Sequence, residues 1–287
     1  MIYFIANARS GKGRGQEIAD KINAYMLGKA EFTICYTKYR EHAVSLAKEL
    51  SQKKDCDAIV AVGGDGTFSE VLNGADLKHP VGFIPSGSGN DFIRTTGERT
   101  LEARLDDIID GKYKNIDFIS VNEKRCLNVL GGGFDVDVLE NEAHFRKMFK
   151  GSICYYLGLL KALLCIRFRP MSMVVDENER IECESLIFAL ANDKYYGGGM
   201  PVSLDSKIDD GKMDLLIIKK LPLYKVPFVL VKFLNGSVRE IKEYTASRVC
   251  TSFSCYLGNI SMQIDGEIKK IEKIECKIIT NQLKAFL

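Results

Sequence analysis

Five short apolar runs open the chain, IYFIAN, FTICY, AIVAV, VGFIP and IDFISV, each separated from the next by a polar stretch with helical spacing. The intervening stretches start at Gln16, run from Glu41 to Lys53, cover FSEVLN, and end near Gly111. Continuous apolar strands alternating with amphipathic helices predict βα units and a parallel sheet buried on both faces. The texture changes near residue 118. MSMVVD, RIECESLIFALA, MDLLIIKK, ISMQID and KIECKIIT alternate in the two-residue period of half-buried strands, with hairpin turns predicted at DENER and at Asp265-Gly266. Helical insertions fall at 135–166 and at LYKVPFVLVKFLNG. The pattern predicts an α/β domain over 1–117 and a mostly antiparallel β domain over 118–287, whose last residues can pack back on the first domain. The cleft between them is the expected place for a site.

Composition narrows the class. A length of 287 residues suits two domains, and 40 basic against 38 acidic residues argue against a general nucleic-acid binder. Nine scattered cysteines without a CxxC pair, and only three histidines, argue against zinc and against a disulfide framework. Reduced thiols imply a cytoplasmic setting. MIYFIANARSGKGRG lacks a signal-peptide pattern, and ICYYLGLLKALLCI contains a lysine and is too short to span a bilayer. Between Ala143 and Val175 stand six basic residues and no acidic one, flanking that apolar helix. Peripheral contact with the inner face of an anionic membrane is one reading of segment 144–169, and a helix packed on the β domain with solvated charges is the other.

The chemistry concentrates at the carboxyl ends of the predicted parallel strands, where open α/β sheets bind ligands. Three glycine-rich loops leave that edge: NARSGKGRG, GGDGT and PSGSGNDF. Glycines let backbone approach phosphate closely. The first is no Walker A loop, because Lys12 is followed by Gly13, and no GxGxxG opens the first helix. Thr67 followed by Glu70 matches a capping box at the start of FSEVLN, which would turn amides toward an anion. Asp65 among the glycines would repel phosphate unless a cation or a catalytic duty accompanied it. Taken singly each loop is an ordinary turn; three on one edge predict a nucleotide-phosphate site.

At these residues the chain resembles the diacylglycerol kinase catalytic fold shared by bacterial lipid kinases. NARSGKG, GGDGT with Glu70 and Asn73, and PSGSGNDF carry the resemblance, and GGGFDVDV, YYLGLLKAL, YGGGM, IDDGKMDLL and QIDGE follow in the family's order over nearly the whole chain. GGDGT alone is shared with NAD kinases and 6-phosphofructokinases; GSGNDF with YGGGM and DDG points to the lipid-kinase branch. Ser88 departs from the usual threonine.

The resemblance implies an α/β domain of the NAD kinase and diacylglycerol kinase type, followed by a β-sandwich. It places ATP against Asn7, Ala8, Arg9, Ser10 and Gly11, against Thr37, against Gly63, Gly64, Asp65, Gly66, Thr67, Phe68, Ser69 and Glu70, and against Ser88, Asn90 and Asp91. Asp65 would act on catalytic Mg2+ or its waters, and a structural Mg2+ would take the Asp210 carboxylate with the carbonyls of Lys207 and Lys212. Glu267 would be the general base, assisted by Asp265 through magnesium or water. The implied reaction moves the γ-phosphate of ATP to a hydroxyl of diacylglycerol or a related lipid at a membrane surface, and a homodimer stays open. A kinase of the same fold acting on a soluble substrate such as NAD, and a non-catalytic nucleotide-binding regulator, are the alternatives. Read without the resemblance, Asp210-Gly211 and Asp265-Gly266 are turns.

Overall fold

The computed structural model describes residues 1–87, 89–149 and 153–287, the side chains at 257–260 excepted. The first half runs β1 (Ile2–Ala6), α1 (Arg14–Met26), β2 (Phe32–Tyr36), α2 (His42–Leu50), β3 (Ala58–Gly63), α3 (Asp65–Gly74), β4 (Val81–Pro85), α4 (Asp91–Thr96) and α5 (Leu101–Ile109). The four strands are parallel in the order β2-β1-β3-β4. β1 and β3 are buried at every position, as their unbroken apolar runs require, whereas β2 is only half-buried because it forms the edge. Separate apolar cores cover the two faces. Helix α1 buries Gly15, Ala19, Ile22 and Met26, one stripe at helical spacing.

The second half begins with β5 (Lys114–Val121), β6 (Lys124–Cys126), β7 (Val129–Gly133), α6 (Phe134–Phe145), α7 (Ile153–Leu164), β8 (Arg169–Val175) and β9 (Glu179–Ala191). It continues through the short pair β10 (Tyr195–Tyr196) and β11 (Met200–Pro201), then β12 (Met213–Lys219), α8 (Val226–Leu234), β13 (Thr245–Cys250), β14 (Ser252–Ile264) and β15 (Glu267–Ala285). Pairing here is antiparallel. Both predicted hairpin turns use left-handed residues, Asp176 and Glu177 in one, Asp265 and Gly266 in the other. Two positive φ values in succession match the right-handed twist of the strands they join.

The 19-residue strand β15 ties the halves together. Its start pairs with β14, its later part with β5, and Ala285 meets Val81 of β4 in parallel register. One continuous sheet results, and the β14–β15 hairpin is carried to the side of α3. Helices α6 and α8 cover the other end of the sheet through a core that includes Phe134, Leu216, Val226 and Phe233.

Candidate functional site

The glycine loops converge as the strand order demands. Asn7 donates its amide to Val62 at 2.8 Å, Thr37 to Ala6 at 2.9 Å, and Ser86 to Gly63 at 2.6 Å, so four strand ends lie side by side. Ser10 bonds the carbonyl of Asn7 at 2.7 Å and also the hydroxyl of Ser86, joining the first loop to the third. Asn7 donates through Nδ2 to Thr67 at 3.4 Å, and Arg14 reaches the Gly87 carbonyl at 2.5 Å. Gly11 has φ +58, and a Cβ there would collide with the carbonyl of Ser86; one at Gly87 would fall 2.7 Å from Gly64 Cα. No side chain fits between these loops.

Asp65 has a definite duty. Its Oδ2 accepts the amide of Asn90 at 2.8 Å and its Oδ1 that of Asp91 at 2.9 Å, so the carboxylate caps the start of α4 and fixes the third loop. Each oxygen keeps a lone pair for a cation or its waters. Asn7, Ser10, Gly11, Thr37, Gly63, Gly64, Gly66, Thr67 and Asn90 all stand on this edge with it; Ala8 is half-buried and Arg9 exposed. Ser88 lies outside the described residues, as does Lys150 of the basic segment.

Several expected site residues work elsewhere. Phe68 is 4% exposed and stacks on Phe83 at 4.7 Å, so it belongs to the core rather than to a nucleotide face. Thr67 and Glu70 form no capping box: α3 starts at Asp65 with Gly64 as its cap, and Glu70 instead accepts the amides of Glu41 and Ala43, both at 3.1 Å, capping α2. Asp91 turns from the phosphate edge and accepts the Gly198 amide at 3.0 and 3.1 Å. Burial pushes its pKa up, with the charge of Asp65 adding and the Gly198 amide opposing. YGGGM is thereby tied to the third glycine loop.

Asp265 is corrected too. Its carboxylate accepts the amides of Leu127, Asn128 and Val129 at 2.8, 2.9 and 3.3 Å, and the Cys126 thiol at 3.3 Å. Its pKa is raised by burial against the pull of those amides. A carboxylate so engaged holds the entry to β7; it is not directed at metal or water. Glu267, two residues on, is differently placed. It lines a polar cavity with Glu41, Ser69, Glu70, Asn73, Lys124 and Lys269, and so faces the helix that GGDGT opens. Its nearest cations are Lys269 at 3.3 Å and Arg40 at 3.7 Å.

Across the hairpin from Glu267 lies an apolar cavity of about 120 Å3 between α6, α7 and α8. Ile264 pairs with Glu267 and Gln263 with Ile268, so neighbouring pairs point to opposite faces. Glu267 and Ile264 face the polar cavity, Gln263 the apolar one, and Gly266 sits at the rim of the latter. Gly197 completes that rim beside Gly198, which Asp91 holds. The apolar cavity therefore opens next to the nucleotide edge.

Lys207, Asp210 and Lys212 stand exposed on one loop, where Asp210 accepts the Lys212 amide at 3.1 Å. The loop is organised by Asp117, a fully buried residue the sequence reading missed: it accepts the amides of Gly211 and Asn281 at 2.7 and 2.8 Å. A lone aspartate inside the apolar run NIDFISV was its only signal. Among the described residues no group of three or more His, Cys, Asp or Glu side chains could hold a metal. A cation at this loop would draw on the Asp210 carboxylate together with carbonyls and waters, a donor set that fits magnesium.

A parallel sheet with glycine-rich strand ends, facing an antiparallel domain that supplies a carboxylate and an apolar cavity, defines the class: a two-domain kinase fold. Comparison with known proteins gives the family. The family model described as diacylglycerol kinase catalytic domain matches residues 1–121, and the YegS C-terminal NAD kinase beta sandwich-like domain matches 128–284. A diacylglycerol kinase of Bacillus subtilis is 30% identical over 269 residues, covering 88% of this chain and 86% of its own. One from Mycobacterium tuberculosis is 28% identical over 235 residues, covering 76% and 75%. The chain belongs to the diacylglycerol kinase family, phosphotransferases with a lipid acceptor. Its fold is shared with a Bacillus anthracis diacylglycerol kinase at TM-score 0.78 and 22% identity, covering 99% of this chain and 96% of that one. An Archaeoglobus fulgidus NAD kinase solved with ATP has TM-score 0.56 at 14% identity, covering 100% and 94%.

Proposed function

We propose that this lipid kinase transfers the γ-phosphate of ATP to the free hydroxyl of diacylglycerol or a close relative, with Mg2+ and with Glu267 as general base. The observation that carries the acceptor is the apolar cavity whose rim, Gly197 and Gly266, adjoins the glycine loops. Such a cavity suits an acyl chain and offers little to a dinucleotide.

The roles follow from position. Asn7, Ser10, Gly11 and the loop after β4 line the place of the phosphates, where charge must be neutralised and the reacting groups aligned. Asp65 keeps that loop in shape and presents its remaining lone pairs toward the edge. Bound with the nucleotide, Mg2+ supplies positive charge against the phosphate oxygens; Asp210, with the Lys207 and Lys212 carbonyls, is the proposed holder of a second, structural ion. Glu267 takes the proton from the acceptor hydroxyl as it passes the Gly266 turn. Lys269 at 3.3 Å and Arg40 at 3.7 Å flank its carboxylate.

We further propose attachment to an anionic membrane surface. No described helix is long and apolar enough to cross a membrane. Helix α7 buries Cys154, Gly158 and Ala162 yet exposes Ile153, Tyr156, Leu160 and Leu164; α8 exposes Phe228 and Val231, with Leu223 and Tyr224 just before it. Neither helix contains an acidic residue, and the buried sides of both line the cavity. A lipid could then enter without crossing water.

The test offers labelled ATP and magnesium with diacylglycerol in mixed micelles, and separately with NAD. Label in the lipid is expected. Label in NAD alone would overturn the acceptor assignment. Cosedimentation with anionic but not zwitterionic vesicles tests the surface, and indifference to vesicle charge would refute it.

A further inference from the structure

The apolar cavity contains polarity that nothing in its wall satisfies. Gln263 is 0% exposed, Tyr196 5% and Asp135 9%. Among the described residues Gln263 Nε2, the Tyr196 hydroxyl and both Asp135 oxygens have no hydrogen-bond partner. Buried polar groups are nearly always paired, so orphans that converge on a cavity point to a ligand. The orientation at Gln263 is set: its Oε1 accepts the Gly266 amide at 2.9 Å, which leaves Nε2 as the free end.

Two of the orphans are donors, and inside an apolar cavity they call for an oxygen that only accepts. A hydrocarbon chain offers none and an ether oxygen is a weak acceptor, whereas an ester carbonyl is strong and brings no donor of its own. We propose that Gln263 and Tyr196 are specificity-determining residues that donate hydrogen bonds to ester carbonyl oxygens of the acceptor lipid. The inference rests on the acceptor assignment above. Gln263 lies three residues before Gly266, so a carbonyl held there leaves the hydroxyl end of the lipid at the turn that carries Glu267. Burial foremost, and then the Asp135 carboxylate through its charge and as a hydrogen-bond acceptor, raise the Tyr196 phenol pKa, so Asp135 is the rival acceptor that an ester carbonyl must displace. Burial also raises the Asp135 carboxyl to about 6, so near that pH it can itself donate.

The experiment compares 1,2-diacylglycerol with the 1,2-dialkyl ether of the same chain lengths, in detergent micelles at equal mole fraction, using the full chain with ATP and magnesium. A buried donor left unpaired by the ether makes wild-type kcat/KM favour the ester by about 10-fold or more. Tyr196→Phe removes only the hydroxyl, and Gln263→Glu keeps the bond to Gly266 while replacing the donor. Each is expected to lower kcat/KM on the ester by roughly 10-fold, with the ether within about 2-fold and the KM for ATP unchanged. Equal use of both lipids by the wild type, or equal loss on both in the two variants, overturns the carbonyl assignment and leaves the lipid kinase standing. Phosphorylation of neither lipid, with label going to NAD instead, overturns the acceptor assignment and this inference with it.

Discussion

Asp265 and Glu267 stand two residues apart in QIDGE, and the structure gives them opposite fates on substitution. Asp265 accepts three backbone amides, two of them at 2.8 and 2.9 Å, on a segment where Leu127, Asn128 and Val129 are all buried. Hydrogen bonds to a charged group contribute about 1.5–3 kcal/mol each, and removing the acceptor strands the amides. With the long third bond discounted, Asp265→Ala costs about 3–5 kcal/mol. The midpoint of thermal unfolding should fall by roughly 5–10 °C for a chain of this size. Asp265→Asn tolerates the left-handed φ of 46° and keeps one acceptor, so it should lose about half as much. Glu267→Gln breaks only ion pairs at 3.3 and 3.7 Å, with Arg40 74% exposed; the midpoint should hold while turnover drops about 100-fold or more. Calorimetry or dye-monitored melting, paired with lipid phosphorylation at a temperature where all variants are folded, separates the two. An unmoved melting midpoint in Asp265→Ala together with lost turnover would refute the clamp and restore a role in the chemistry.

Other outcomes follow from the same geometry. Gly11→Ala puts a methyl into the Ser86 carbonyl at a left-handed position and should weaken ATP binding about 10-fold or more and also lower the melting midpoint, as titration with the nucleotide and thermal unfolding would show. Glu70→Ala uncaps α2 and should cost about 1 kcal/mol by denaturant unfolding; no loss would mean that water replaces the carboxylate. Burial raises the pKa of Asp193 to about 7. Because that lies above its unfolded value, the native state holds the proton more tightly, and stability from this group is full below about pH 4 and is lost as pH rises toward about 7. Wild type minus Asp193→Asn melting midpoints should therefore fall across that window and level off above it; a flat difference would mean that Asp193 is ionised in the folded state.

The alternation of apolar runs made both halves of the fold legible, because a strand buried on two faces and a strand buried on one leave different periods in the sequence. β2 reads less cleanly since it is an edge. The three loops at one strand edge were equally readable, for parallel strands all point their carboxyl ends the same way. What local pattern could not reveal was partnership across the chain. Thr67 and Glu70 have capping-box spacing, yet Glu70 finds better-placed donors at Glu41 and Ala43, 29 and 27 residues away. Phe68 sits in a nucleotide motif but on the inward face of α3. Asp265 looked like half of a catalytic pair until the fold brought the amides at 127–129 to it. Gln263, Tyr196 and Asp135 gave no signal, because a buried orphan is defined by its surroundings.

These long-range bonds also bear on the proposal of Glu267 as the base. Asp65, Asp91 and Asp265 each bind amides of another segment, and together they fix the third glycine loop, the YGGGM turn and the entry to β7. A carboxylate that several amides hold in place cannot swing toward a substrate without stranding those donors in a buried setting. Glu267 is held differently from these three. Its partners are a lysine and a guanidinium on long side chains, one of them largely exposed, and either can follow the carboxylate or yield to water at small cost. Three fixed acids thus build the frame, and an acid held only by ion pairs stands at the tip of the hairpin that β15 carries to the nucleotide edge.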